Sequence, residues 1–95
     1  MYSLLIVDDE KIERNGIKFL LKQTGIELEV HEACNGKDAI AFLEENKVDM
    51  LLTDIKMPFI DGMELLKRVS PLYPEMKCII FSGYSEFEYA KEAMR

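Results

Sequence analysis

The sequence is short of most things that announce a chemistry. It has only two cysteines, Cys34 and Cys78, and their separation matches no metal-binding spacing. They read as two buried thiols of a protein kept in a reducing compartment, which places the chain in the cytoplasm. It has one histidine, His31, and no second one near it, so neither a histidine metal pair nor a nucleophile–base dyad can be built. No glycine-rich loop of the phosphate-cradling type occurs, which argues against nucleotide binding. No apolar run is long enough to span a membrane. The first residues, Met1 to Val7, lack a basic stretch and run straight into Asp8, Asp9 and Glu10, so they do not read as a signal peptide. Positive charge is scarce as well. With 12 Lys and Arg against 18 Asp and Glu, the net charge is −6, which argues against non-specific nucleic-acid binding.

What is present is an alternation. Ser3 to Val7 is a continuous apolar strand of the kind buried on both faces of a parallel sheet. Lys11 to Thr24 has helical spacing, with Ile17, Leu20, Leu21 and Thr24 on one face, Ile12 and Gly16 extending it, and Gly25 as its stop. Leu28 to Ala33 alternates apolar and polar residues, the mark of a half-covered or edge strand, and places His31 where no role is expected of it. Asn35-Gly36 is a turn into a second helix, Lys37 to Asn46, with Ala39, Ile40 and Leu43 inward. A third apolar strand begins at Met50 and gives out at Asp54. Pro58 blocks simple continuation, and Asp61 caps a third helix carrying Leu65, Leu66 and Val69. Met76 to Phe81 is the fourth strand, followed by Ser82-Gly83 and a helix capped by Ser85 with Phe87, Ala90, Ala93 and Met94 as its stripe. Four βα units in 95 residues make one α/β domain with a parallel sheet and right-handed crossovers.

In such a sheet every strand ends at the same rim. Asp8 and Asp9, Asp54 and Ser82 therefore belong to one edge, where open α/β sheets bind ligands. If the first and third strands are neighbours, three carboxylates converge, and their mutual repulsion calls for a cation. Oxygen-only ligands suit Mg²⁺. A carboxylate beside that cation can attack phosphorus, and the Ser82 hydroxyl could bond a phosphoryl oxygen. Two other readings stay open. A Mg²⁺-dependent phosphohydrolase would want a second Asp two residues after Asp54, where Lys56 stands. Half of a (β/α)₈ barrel would carry its strands in the order 1-2-3-4.

Three segments carry a resemblance. Leu-Ile-Val-Asp-Asp-Glu, Thr-Asp-Ile-Lys-Met-Pro-Phe-Ile-Asp-Gly and Ile-Ile-Phe-Ser-Gly-Tyr resemble the receiver domain of two-component response regulators, along the whole chain. Ser-Gly-Tyr-Ser-Glu-Phe-Glu-Tyr-Ala is similar to receivers joined to AraC-type helix-turn-helix output domains. The resemblance implies a flavodoxin-like three-layer fold with strand order 2-1-3-4. It implies a signalling domain rather than an enzyme, accepting a phosphoryl group from a sensor histidine kinase and passing the signal to an output domain, without itself touching nucleic acid or membrane. Asp54 would be the phosphoacceptor. Asp9, Asp54 and the Lys56 backbone carbonyl would hold Mg²⁺, with Asp8 acting through water. Ser82 would be the phosphate-sensing switch, Lys56 and Tyr84 would tune the lifetime of the phosphorylated state, and Pro58 and Gly62 would shape the loop. The family's fifth strand, with its lysine, and its fifth helix would lie beyond Arg95. On that expectation residues 1–95 are an incomplete receiver with an uncovered sheet face. The alternative function is then a phosphorylation-incompetent module that self-associates through that face.

Overall fold

The computed structural model describes residues 1–81, and Ser82, Tyr84 and the helix expected after Ser85 lie outside the described residues. Within them the elements alternate as β1 (Tyr2–Val7), α1 (Lys11–Gln23), β2 (Leu28–Ala33), α2 (Gly36–Glu45), β3 (Met50–Asp54), α3 (Gly62–Val69) and β4 (Lys77–Phe81). All four strands are parallel, in the order β2-β1-β3-β4. A barrel fragment would pair β2 with β3, so the barrel reading is closed. The order is that of the flavodoxin-like receiver fold.

That order fixes where the helices go. The chain leaves β1 toward β2 on one side and returns past β1 to β3 on the other. With right-handed crossovers, α1 covers one face and α2 and α3 the opposite one. The side chains agree. Leu5, Val7, Ala33 and Leu51 pack with Ala39 and Leu43 of α2 and Leu65 and Val69 of α3 in one cluster. The alternate residues point to α1, and Glu32 on that face holds Arg14 at 2.9 Å and Lys18 at 2.8 Å. These half-exposed ion pairs contribute little individually. They nevertheless pin α1, none of whose residues is buried.

The helix ends are built as the sequence suggests. Asp61 accepts from the Glu64 N–H at 2.8 Å and Asn35 from the Asp38 N–H at 2.7 Å, caps of about 1 kcal/mol each. Gly25 takes φ 75° just past α1, where a side chain would be strained.

Two expectations need correction. Cys34 is exposed and Cys78 half-buried, so they are not a buried pair. Cys34 follows β2 at the mouth of α2, where its thiol donates to Asp38 at 3.3 Å. The apolar stripe of α1 is also only partly used. Ile17 and Leu21 are half-buried, while Leu20 is 64% exposed and Ile12 83%. Helical periodicity specifies which residues share a face, not how much of that face a neighbour covers.

Candidate functional site

The site grows from the register of β1 against β3. Ile6 pairs with Leu52 and Val7 with Thr53. One residue further along come Asp8 and Asp54. Val7 belongs to the cluster under α2 and α3. Side chains alternate along a strand, so both carboxylates fall on the α1 face. They flank the point where the strand order reverses, the crevice in which open α/β sheets place ligands. Asp8 is fully buried and Asp54 is 4% exposed.

A third carboxylate joins them. Glu13, in the first turn of α1, brings an oxygen so near that oxygens of Asp8, Glu13 and Asp54 all lie within 4.8 Å of one another. Sequence reasoning passed over Glu13. The signal for it is weak but physical: it is the third residue of a helix that opens directly after an acidic strand end, the position from which a Glu reaches back toward the preceding residues. The orientation of α1 depends on Arg14, which donates to the Asp8 carbonyl at 2.7 Å as well as to Glu32.

The electrostatics are those of an underneutralised pocket. Burial pushes the Asp8 carboxyl up to about 8, helped by its hydrogen bond with Glu13 and by the charge of Asp54, against the Glu10 N–H that it accepts at 2.9 Å. Burial likewise pushes Asp54 up to about 6, with the charges of Glu13 and Asp9 adding to it and the N–H groups of Ile55 and Lys56 opposing. Apart from the neighbouring Glu13 carboxyl, Asp8 Oδ2 is buried with no hydrogen-bond partner, and Asp54 Oδ1 is buried with none. Two orphaned, buried carboxylate oxygens facing the same space fit a bound cation, since a buried acceptor left unpaired is costly.

The remaining expected site residues are placed as follows. Asp9 is exposed at the rim and lies outside the three-carboxylate group, though its charge reaches Asp54. Lys56 is exposed just beyond Asp54. The loop after it is tightly wound. Ile60 donates to the Pro58 carbonyl at 2.9 Å across Phe59, whose φ of 69° is a strained value for a side-chain-bearing residue. Gly62 then donates to the Ile55 carbonyl at 2.8 Å and passes directly against the Asp54 backbone, where a Cβ would overlap the carbonyl oxygen. A concavity of about 590 Å³ opens at the opposite rim, between Leu43, Val48, Tyr73 and Met76, away from every one of these carboxylates.

A doubly wound parallel sheet with a buried carboxylate cluster at its switch point is an α/β domain with a candidate cation site. Residues 4–95 match the response regulator receiver domain, and the chain belongs to that family. It is 40% identical over its whole length to the uncharacterized transcriptional regulatory protein YesN of Bacillus subtilis, of which it spans 26%. Among solved structures, a two-component transcriptional regulator AraC from Clostridium phytofermentans is 38% identical, with TM-score 0.76 over 98% of this chain and 73% of that one. The response regulator TrrA of Thermotoga maritima, solved in complex with Mg(2+)-BeF, is 31% identical, with TM-score 0.80 over 92% of this chain and 74% of that one. TrrA is also solved in complex with the histidine kinase ThkA, a match of TM-score 0.78 and 31% identity over 88% and 71% of the two chains. The chain is thus a signalling domain homologous to response regulators, and it spans only about a quarter of YesN.

Proposed function

We propose that Asp54 accepts a phosphoryl group from the phosphohistidine of a sensor histidine kinase, with Mg²⁺ in the acidic site, and that the modified surface biases an output domain. The observation that carries this is the pair of buried, unpartnered oxygens on Asp8 and Asp54 at the strand-order reversal. Asp54 is the nucleophile. Its backbone-facing bonds to the Ile55 and Lys56 N–H groups fix the carboxylate in place. Asp9, Asp54 and the Lys56 carbonyl are the direct ligands, and Asp8 acts through water. The cation supplies neutralising charge for the incoming phosphoryl oxygens. Ser82 is the switch hydroxyl, Lys56 and Tyr84 set the lifetime of the phosphorylated state, and Pro58 and Gly62 hold the loop. The kinase complex and the Mg(2+)-BeF complex of TrrA support the partner and the cation, and the AraC and YesN relatives support a DNA-binding output domain. This is cytoplasmic signalling. No helix among the described residues is long and apolar enough to cross a membrane.

Beryllofluoride, a phosphoryl mimic, tests the reading. With Mg²⁺ present it is expected to raise the melting temperature of the chain, and the rise is expected to vanish in EDTA and in Asp54→Ala. An equal rise in Asp54→Ala removes Asp54 from the role.

A second reading rests on a different observation. Ile79 pairs with Leu52, which pairs with Ile6, so it lies on the α1 face, and it is 49% exposed there. With Phe19 and Leu20 of α1 also exposed, this side offers apolar surface for self-association. Sedimentation separates the two: a monomer at every concentration tested counts against the interaction module.

A further inference from the structure

We infer that Glu13 is a third carboxylate ligand of the cation site, delivered by α1, and that it widens the choice of cation toward ions larger than Mg²⁺. The inference rests on the receiver reading for the existence of the site and adds a residue that this reading does not contain. Three observations carry it. Glu13 is half-buried against the sheet face that bears Asp8 and Asp54, not splayed into solvent with Lys11 and Ile12. Its carboxyl is within hydrogen-bond reach of Asp8, and two carboxyl groups hold that approach only with a proton or a cation between them. Oxygens of Asp8, Glu13 and Asp54 lie within 4.8 Å of one another, and fully buried Asp8 and nearly buried Asp54 each carry a buried oxygen with no donor beside it.

The number of carboxylates then favours one kind of ion. The site proposed above has two direct carboxylate ligands, Asp9 and Asp54, the number usual for Mg²⁺. Glu13, with an oxygen within 4.8 Å of oxygens of Asp8 and Asp54, adds a third. A larger set of charged oxygen ligands suits Ca²⁺, which takes about six to eight oxygens and tolerates an irregular donor arrangement. Glu13 is well placed to be a steady ligand, because the next residue, Arg14, ties α1 both to the Asp8 carbonyl and to Glu32.

Calorimetric titration of the chain with Mg²⁺ and, separately, with Ca²⁺ tests this. Wild type is expected to bind both ions. Glu13→Gln is expected to lose Ca²⁺ affinity by about tenfold and Mg²⁺ affinity by clearly less, the scale found when groups supporting a metal site are removed. Glu13→Asp, which keeps the charge but shortens the reach, is expected to fall between the two. Asp38→Asn, which removes an exposed carboxylate at the start of α2, leaves both affinities as they were. Affinities within twofold of wild type in Glu13→Gln and Glu13→Asp, with binding abolished by Asp54→Asn, overturn the Glu13 assignment and leave the receiver site standing. An equal loss for the two ions also overturns it, since a remote charge makes no distinction of size. Wild type that binds neither ion overturns the site itself, and Glu13 with it. Circular dichroism confirms that each variant is folded before it is titrated.

Discussion

Gly62→Ala is expected to cost about 4 kcal/mol, a large share of the roughly 5–15 kcal/mol that stabilises a domain. The reason is the identity of the atoms in the way. A Cβ at position 62 overlaps the carbonyl oxygen of Asp54 and comes within 3.0 Å of its carbonyl carbon and 3.1 Å of the Ile55 Cα. All three are backbone atoms at the end of the strand that carries the site, so no rotamer change relieves the clash. Relief requires that α3 lift away from β3. That would break the Gly62 N–H bond to Ile55 and unseat Leu65, a fully buried member of the core. Gly36→Ala makes an instructive comparison. There the Cβ meets Cβ and Cγ2 of Ile60 at 2.8 and 2.9 Å, and relief requires the loop that carries Ile60 to shift, not a helix to leave the strand beneath it. Chemical denaturation should show a much smaller loss for Gly36→Ala than for Gly62→Ala. Equal losses would mean that the close approach of α3 to Asp54 is not the constraint on position 62.

The contrast also shows what a sequence can and cannot convey. The rim was legible. Short apolar runs ending in Asp8 and Asp54 place both carboxylates at one edge of any parallel sheet, and the Pro58 and Gly62 loop stands out by composition. Strand order was not derivable from the alternation, which suits a barrel equally well. It came from resemblance, and the β1–β3 pairing settles it. Glu13 stayed hidden because its place depends on the tilt of α1, which is set by a long-range bond from Arg14 to the Asp8 carbonyl and by ion pairs to Glu32, 18 positions away. Periodicity carries no information about such ties. The exposure of Leu20 has the same origin. The stripe on α1 was read correctly as a stripe, but its cover is decided by what else lies on that sheet face. Cys34 misled for a local reason: thiols favour interiors on average, yet this one sits in the turn between β2 and α2, where the chain is at the surface.

The acidic pocket makes an opposite kind of prediction, in which a substitution at the site stabilises the fold. Asp8 and Asp54 both have carboxyls raised above the ordinary carboxylate range, chiefly by burial. The folded protein therefore holds protons more tightly than the unfolded chain does. Between the unfolded value near 3.8 and the folded value of about 8 for Asp8, the native state binds the extra proton, so metal-free stability must fall as pH rises through that window. Asp54 adds to the fall over the lower part, up to about 6. Asp8→Asn removes the ionising group. The replacement amide keeps an oxygen for the Glu10 N–H and offers an N–H to Glu13, so the pocket loses a charge without losing its bonds. In EDTA at pH 8, Asp8→Asn is expected to be more stable than wild type by about 1–3 kcal/mol, the scale of a buried polar group freed from an unsatisfied state. At pH 4.5 the difference should nearly vanish. Divalent cation reverses the order. It binds the ionised pocket of wild type and stabilises it by mass action, while the variant, with a ligand neutralised, gains little. Melting curves at the two pH values, with EDTA and with excess Mg²⁺, decide the matter. Metal-free wild type that grows more stable from pH 4.5 to 8 would show that the carboxylates are relieved by something other than protons or a cation. The orphaned oxygens would then have to be satisfied within the protein itself.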